Sequence, residues 1–131
     1  MNFIESFRLV YFKELFTVNS RSSRWEYWGA ELLYILFYIV IYIIFIFFSF
    51  DSIPLLDTYM AIWSTISFTT VSIRRMHDVG KSGWVLLWYL TVIGALYILV
   101  LTLTSSEQHE NKWGSPRKHT IQSEQEEEWI I

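Results

Sequence analysis

Eleven residues, Arg74-Arg75-Met76-His77-Asp78-Val79-Gly80-Lys81-Ser82-Gly83-Trp84, concentrate the side chains that can do chemistry. Six are ionisable or hydroxyl-bearing, and the stretches on either side carry almost no charge. An imidazole beside a carboxylate can be tuned towards neutral pH, so His77-Asp78 invites an acid/base or zinc reading. Metal binding needs three or four convergent ligands, however, and the other histidines, His109 and His119, lie far along the chain. No metal and no cofactor is expected. An enzyme, a lipid-modifying one, would have His77, Asp78 and Ser82 as its only players, and no spacing rule sets Ser82 against His77.

Gly80-Lys81-Ser82 resembles the end of a phosphate-binding loop, but that motif requires a glycine five positions before Gly80, where this chain has Arg75. Part of its physics survives. Ser82 can cap the helix that follows, so the exposed amides there, Lys81 and the two arginines can converge on one anion. A purely structural account competes with this. Arg74 and Arg75 would pair with Glu31 or Glu26, Asp78 would take an arginine from the first helix, and Gly80 and Gly83 would make a tight turn.

The elements that must position this loop are membrane-like. More than half of the 131 residues are apolar. Leu32 to Phe50, Thr58 to Ile73 and Gly83 to Ser106 run for 19, 16 and 24 residues without a charge, against roughly 20 needed to cross a bilayer core. The expected fold is therefore an all-α integral membrane protein. Three transmembrane helices, about 29–50, 53–73 and 84–103, follow an amphipathic interfacial helix over 3–18. That helix places Phe3, Phe7, Tyr11, Leu15 and Val18 at spacings of three or four, and packing against the bundle is its alternative use. The first span is expected to stay uncleaved as a signal anchor in a whole mature chain. Residues 1–106 form the membrane domain. Residues 107–131, with most of the excess acid, read as a polar tail, largely disordered.

Several local signals refine this. Ser23-Arg24-Trp25-Glu26 reads as a capping box, and Trp25, Tyr27, Trp28 and later Trp84 suit the headgroup level. Glu31 lies roughly 7 to 8 Å deeper than Glu26 and should face a partner. Ser52 is a plausible cap and Pro54 suits the first turn of the second helix. That helix is rich in Ser and Thr, which suits close helix packing. A water-lined path through it is the alternative. Seven of the ten Lys/Arg flank the first span and the central loop, which places the N-terminus and the 74–83 loop in the cytoplasm and the tail outside.

The central motif, preceded by Ser20-Arg21-Ser22-Ser23-Arg24-Trp25-Glu26-Tyr27-Trp28 and followed by Asn111-Lys112-Trp113-Gly114, resembles the small bacterial inner-membrane proteins of domain-of-unknown-function family 805. Members usually have Gly-Arg in place of Ser20-Arg21, a proline near Thr91 and a Pro-Gly pair before the last element; all are missing here. The resemblance implies a multi-spanning membrane protein, assigns no activity, and makes Asn111 to Gly114 look ordered despite their polar surroundings.

The leading expectation is a non-enzymatic membrane protein. Its loop, Arg74, Arg75, His77, Asp78, Gly80, Lys81, Ser82 and Gly83, would bind an anionic phospholipid headgroup or a protein partner. Arg21, Arg24, Glu26, Glu31, Trp28, Trp84, Asn111 and Gly114 would support it. A homo-oligomeric transporter subunit using the hydroxyl-rich helix is the rival. Nucleic acid is not expected, for want of a basic stripe.

Overall fold

The computed structural model describes residues 2–48 and 53–117. Every regular element among them is helical, as expected, and the arrangement departs from three parallel crossings. The chain begins with α1, Phe3–Arg8, whose N-cap Asn2 and Glu5 form a reciprocal capping box. It continues without a break as π-helical turns over Leu9–Lys13. The helix is shorter than the expected 3–18. Glu14 leaves helical geometry at φ −118°, ψ 27°, and its carboxylate is drawn instead to the arginines Arg74 and Arg117. This unit packs on the next helix through buried Ser6, Val10 and Tyr11, with Phe3 against Trp25 at 4.7 Å.

Helix α2, Arg24–Phe48, starts at the capping box read from the sequence: the Ser23 amide donates to Glu26 at 3.1 Å and the Glu26 amide to Ser23 at 3.2 Å. Only its first turns are buried. From Leu32 onward most of its large apolar side chains are exposed, a contiguous surface far larger than soluble proteins tolerate. Among the described residues it is the one helix both long and apolar enough to cross a bilayer. Helix α3, Ile53–Asp78, returns alongside it with Pro54 in its first turn; Ser52 lies outside the described residues. The α3 hydroxyls mostly serve their own helix: Thr58, Thr65 and Thr69 donate to the carbonyls four residues back, at 2.9, 2.7 and 2.7 Å.

The expected third span, 84–103, is not a continuous helix. Gly83–Leu90 is a 310 helix, Thr91 is extended, and α4 covers Val92–Leu103. These arms reach only about 16 Å and 18 Å, each short of a hydrocarbon core of about 30 Å. They fold back on each other. Gly94 lies so close to the carbonyl of Trp88 that no side chain would fit, and Trp88 faces Tyr97 at 5.9 Å. The segment therefore starts and finishes at the same end of the molecule, beside Met76, which packs with Ile98 and Leu101.

This corrects the placement of the tail as well. Residues 107–117 fold onto the 74–83 loop rather than leaving from the opposite end, with the Glu107 amide donating to the Asp78 carbonyl at 3.0 Å. Low hydrophobicity suggested disorder there. Hydrogen bonds to buried charges and one ring stack, Trp113 on His77, hold the segment in place of an apolar core; the remainder of that expectation falls outside the described residues.

Candidate functional site

The last turn of α3 carries the motif, and its residues are buried: Arg74, Arg75 and Asp78 expose nothing and His77 very little. A glycine-dependent stop makes this geometry. Gly80 takes φ +73°, so the Gly80 amide reaches the His77 carbonyl at 3.2 Å and the Lys81 amide the Met76 carbonyl at 2.8 Å, a Schellman-type helix end. Ser82 then caps the 310 helix, accepting from the Trp84 amide at 3.4 Å, as the sequence anticipated.

Asp78 is the hub. Arg21 donates its Nε to one carboxylate oxygen at 2.9 Å, while Arg75 and the Ser106 hydroxyl both close on the other. Arg21 spends its remaining donors on main-chain carbonyls: His109 at 2.9 Å, Gly114 at 3.1 Å, Glu107 at 2.5 Å and Asp78 itself at 3.3 Å. Arg75 reaches the carbonyls of Thr102 at 3.2 Å and Ser22 at 3.3 Å, and that of Thr104 more closely still. Two guanidinium forks thus tie the α3 end to the chain before α2, to the end of α4 and to the tail. Planar five-donor groups suit this task; an ammonium would not.

A second cluster joins Arg74 and Arg117 to Glu14, with Arg117 also on Glu26 at 2.9 Å. Arg74 meets Glu14 as an ion pair although none of its N–H groups is aimed at an acceptor. The expected pairing of Arg74 and Arg75 with Glu31 or Glu26 is accordingly corrected. Arg74 takes Glu14, Arg75 takes Asp78, and Glu26 takes Arg117. Glu31 receives the Tyr11 hydroxyl at 3.4 Å to each oxygen. Burial, and then the Glu31 carboxylate, raise the Tyr11 phenol pKa, so it remains a donor. Asp78 does take an arginine from beside the first helix, in the form of Arg21.

His77 is also held. Its Nδ1 lies 3.2 Å from the Ser20 carbonyl, and its ring stacks on Trp113 at 4.1 Å and 7°. Asn111 donates to the His77 carbonyl at 3.0 Å, and Asn111 and Gly114 close a tight turn by exchanging main-chain bonds. The tail element is thereby part of the site. A model of the family described as "Protein of unknown function (DUF805)" matches residues 15–115. The chain belongs to the DUF805 family. The matched region begins one residue after Glu14 and ends just past Gly114, so it takes in both arginine forks. Two curated relatives, each named inner membrane protein YhaI, come from Escherichia coli K12 and from Escherichia coli O157:H7. Each is 28% identical over 101 residues, covering 76% of this chain and 85% of the relative. No solved structure matches.

Sequence reasoning missed Glu14, Arg117, Ser106 and Glu107. Only Trp113, an aromatic alone in a polar stretch, offered a signal. Exposed cations at this end include, among the described residues, Arg24, whose guanidinium donates to the Leu103 carbonyl at 3.2 Å, Lys81, and Lys112, which sits over Trp113 at 4.3 Å. A groove of about 460 Å³ at this end is walled by Val18, Ile73, His77, Ser82, Trp84 and Leu87 among others.

Proposed function

We propose that this DUF805 protein is a non-enzymatic inner-membrane protein that seats an anionic phospholipid at its motif loop. The groove lined by Ser82 carries the reading. Its walls are mainly apolar, as an acyl chain needs, and its lining residue Ser82 is the chain neighbour of the exposed Lys81, whose ammonium would serve a phosphate. The relatives' name, inner membrane protein, supports the location. In this reading the motif arginines are the frame and not the ligand contacts, because Arg21 and Arg75 have their donors in internal bonds and Arg74 is buried on Glu14.

The accompanying topology is two crossings, α2 by its own apolarity and α3, 26 residues long but less apolar, carried across against it, with Gly83–Leu103 as a re-entrant hairpin dipping into the bilayer from the loop side. The N-terminal helix, the loop and the tail then share the cytoplasmic face, where the surplus of Lys and Arg belongs. Irregular backbone such as Thr91 is tolerated at membrane depth where it is covered by protein.

Two measurements test this. Cysteines placed at Ser82 and Ser115 are both shielded from an impermeant reagent in intact cells, and one at Ser52 labels; labelling at Ser115 alone would restore three crossings. Purified in mild detergent, Lys81→Gln retains less acidic phospholipid by mass spectrometry, on the scale of about 1 kcal/mol for one basic residue at a headgroup. Lys13→Gln, an exposed lysine away from the groove, retains the wild-type amount. Equal retention by both variants would end the phospholipid reading.

A further inference from the structure

A second groove, of about 320 Å³, lies between α2 and α3 and is lined by Glu31, Tyr34, Ile35, Ser64, Thr65 and Phe68. Its polar groups share one property. The Tyr34 hydroxyl donates to the Met60 carbonyl at 3.2 Å, and the Ser64 and Thr65 hydroxyls donate to the Ala61 carbonyl at 3.1 and 2.7 Å. Each hydroxyl hydrogen is thus committed to main chain, and what each has left to offer is oxygen lone pairs. Glu31 is acceptor-only when ionised. The one donor that reaches it, Tyr11, does so through long bonds of 3.4 Å, and no cation pairs with it among the described residues. The groove is a cup of acceptors.

We propose that this groove binds an organic ammonium ion with an apolar body. The carboxylate matches the charge and the hydroxyl oxygens accept from N–H groups, while Phe68 adds aromatic surface to the lining; Tyr34 is already stacked on Tyr11 and Tyr38 and contributes its oxygen. Ile35 and the Phe68 ring supply the contact for the apolar part. An inorganic cation would have to replace its water with several oxygen ligands, and the groove has one carboxylate and two small hydroxyls. The ammonium of an ethanolamine phospholipid carries a phosphate only a few atoms away, which would be brought against Glu31 in a poorly hydrated place. The occupant is therefore a monocation without an anionic neighbour. The site is separate from the phospholipid groove at Ser82 and stands whether or not that one binds lipid.

The test uses the full chain in phosphatidylcholine nanodiscs with radiolabelled dodecylamine, an ammonium at neutral pH, as probe, read by scintillation proximity. Saturable binding above that of empty discs is expected, displaced by unlabelled dodecylamine and not by dodecyl sulfate at the same mole fraction. Glu31→Gln, which keeps an acceptor for Tyr11, should bind about tenfold more weakly or worse, the scale of one charge-assisted contact. Ser64→Leu keeps the carboxylate but fills the groove, and should also lose binding; it decides the matter should Glu31→Gln fail to fold. Wild-type binding by either folded variant overturns the proposal, as does displacement by dodecyl sulfate. Displacement by phosphatidylethanolamine built into the discs would assign the groove to a lipid headgroup and overturn it equally.

Discussion

The guanidinium of Arg75, in the last turn of α3, donates to the main-chain carbonyl of Thr104, the C-cap of α4. Gly83, where the same apolar segment begins, sits against Ile73, two residues before Arg75. Both ends of a stretch long enough to cross a bilayer are thereby held at one end of the molecule.

Gly94 distinguishes a hairpin from a span. In a continuous helix Gly94→Ala would stabilise by about 1 kcal/mol. Here the added methyl would strike the Trp88 carbonyl and the Thr91 hydroxyl, and a destabilisation of roughly 1 to 3 kcal/mol is expected from overpacking. Thermal unfolding in mild detergent reads the sign directly.

Arg75→Lys should lose nearly as much stability as Arg75→Ala. One ammonium cannot reach Asp78 together with the carbonyls of Ser22, Thr102 and Thr104, and breaking a buried ion pair costs about 3 to 5 kcal/mol. A lysine variant melting with the wild type would show that the fork is dispensable.

Glu31 and Arg75 belong to different networks, one on Tyr11 and the other on Asp78. Glu31→Gln and Arg75→Ala should therefore add within about 0.5 kcal/mol in a double-mutant cycle. A larger coupling would return Glu31 to the arginine cluster.

The tail is pinned twice, by Trp113 on His77 and by Arg117 on Glu14 and Glu26. Either Trp113→Ala or Arg117→Ala should speed trypsin cleavage at Lys112. Arg117 and Glu14 are about a quarter exposed, so salt should mimic Arg117→Ala and leave the aromatic clamp untouched. Cleavage at wild-type rates in both variants would mean that neither contact restrains the segment.

Local chemistry made several features legible. The Ser23/Glu26 capping box, the glycine stop at Gly80 and the Ser82 cap each depend on residues within one turn, so they can be read from spacing alone. The long apolar runs required helices in a hydrocarbon setting for the same reason.

Pairing and topology were of another kind. Arg74 had Glu14, Glu26, Glu31 and Asp78 all within reach as far as the sequence could tell, and only the packing of α1 against α2 brought Glu14 to it. The 83–106 run is long enough to cross, and the break at Thr91 rests on one side-chain cap to the Gly94 amide plus the close approach that Gly94 permits. The composition of the tail is that of a disordered chain, yet its carbonyls complete the coordination of Arg21. The sequence alone carried the caps at Ser23 and Ser82, the stop at Gly80 and the need for an apolar solvent, because those are matters of neighbours along the chain; the end of the first helix at Lys13 and the break at Thr91 were not among them. Tertiary structure alone decided which charge meets which and at which end of the molecule the 83–103 segment finishes, because a buried guanidinium takes whatever acceptors the fold carries to it from far along the chain.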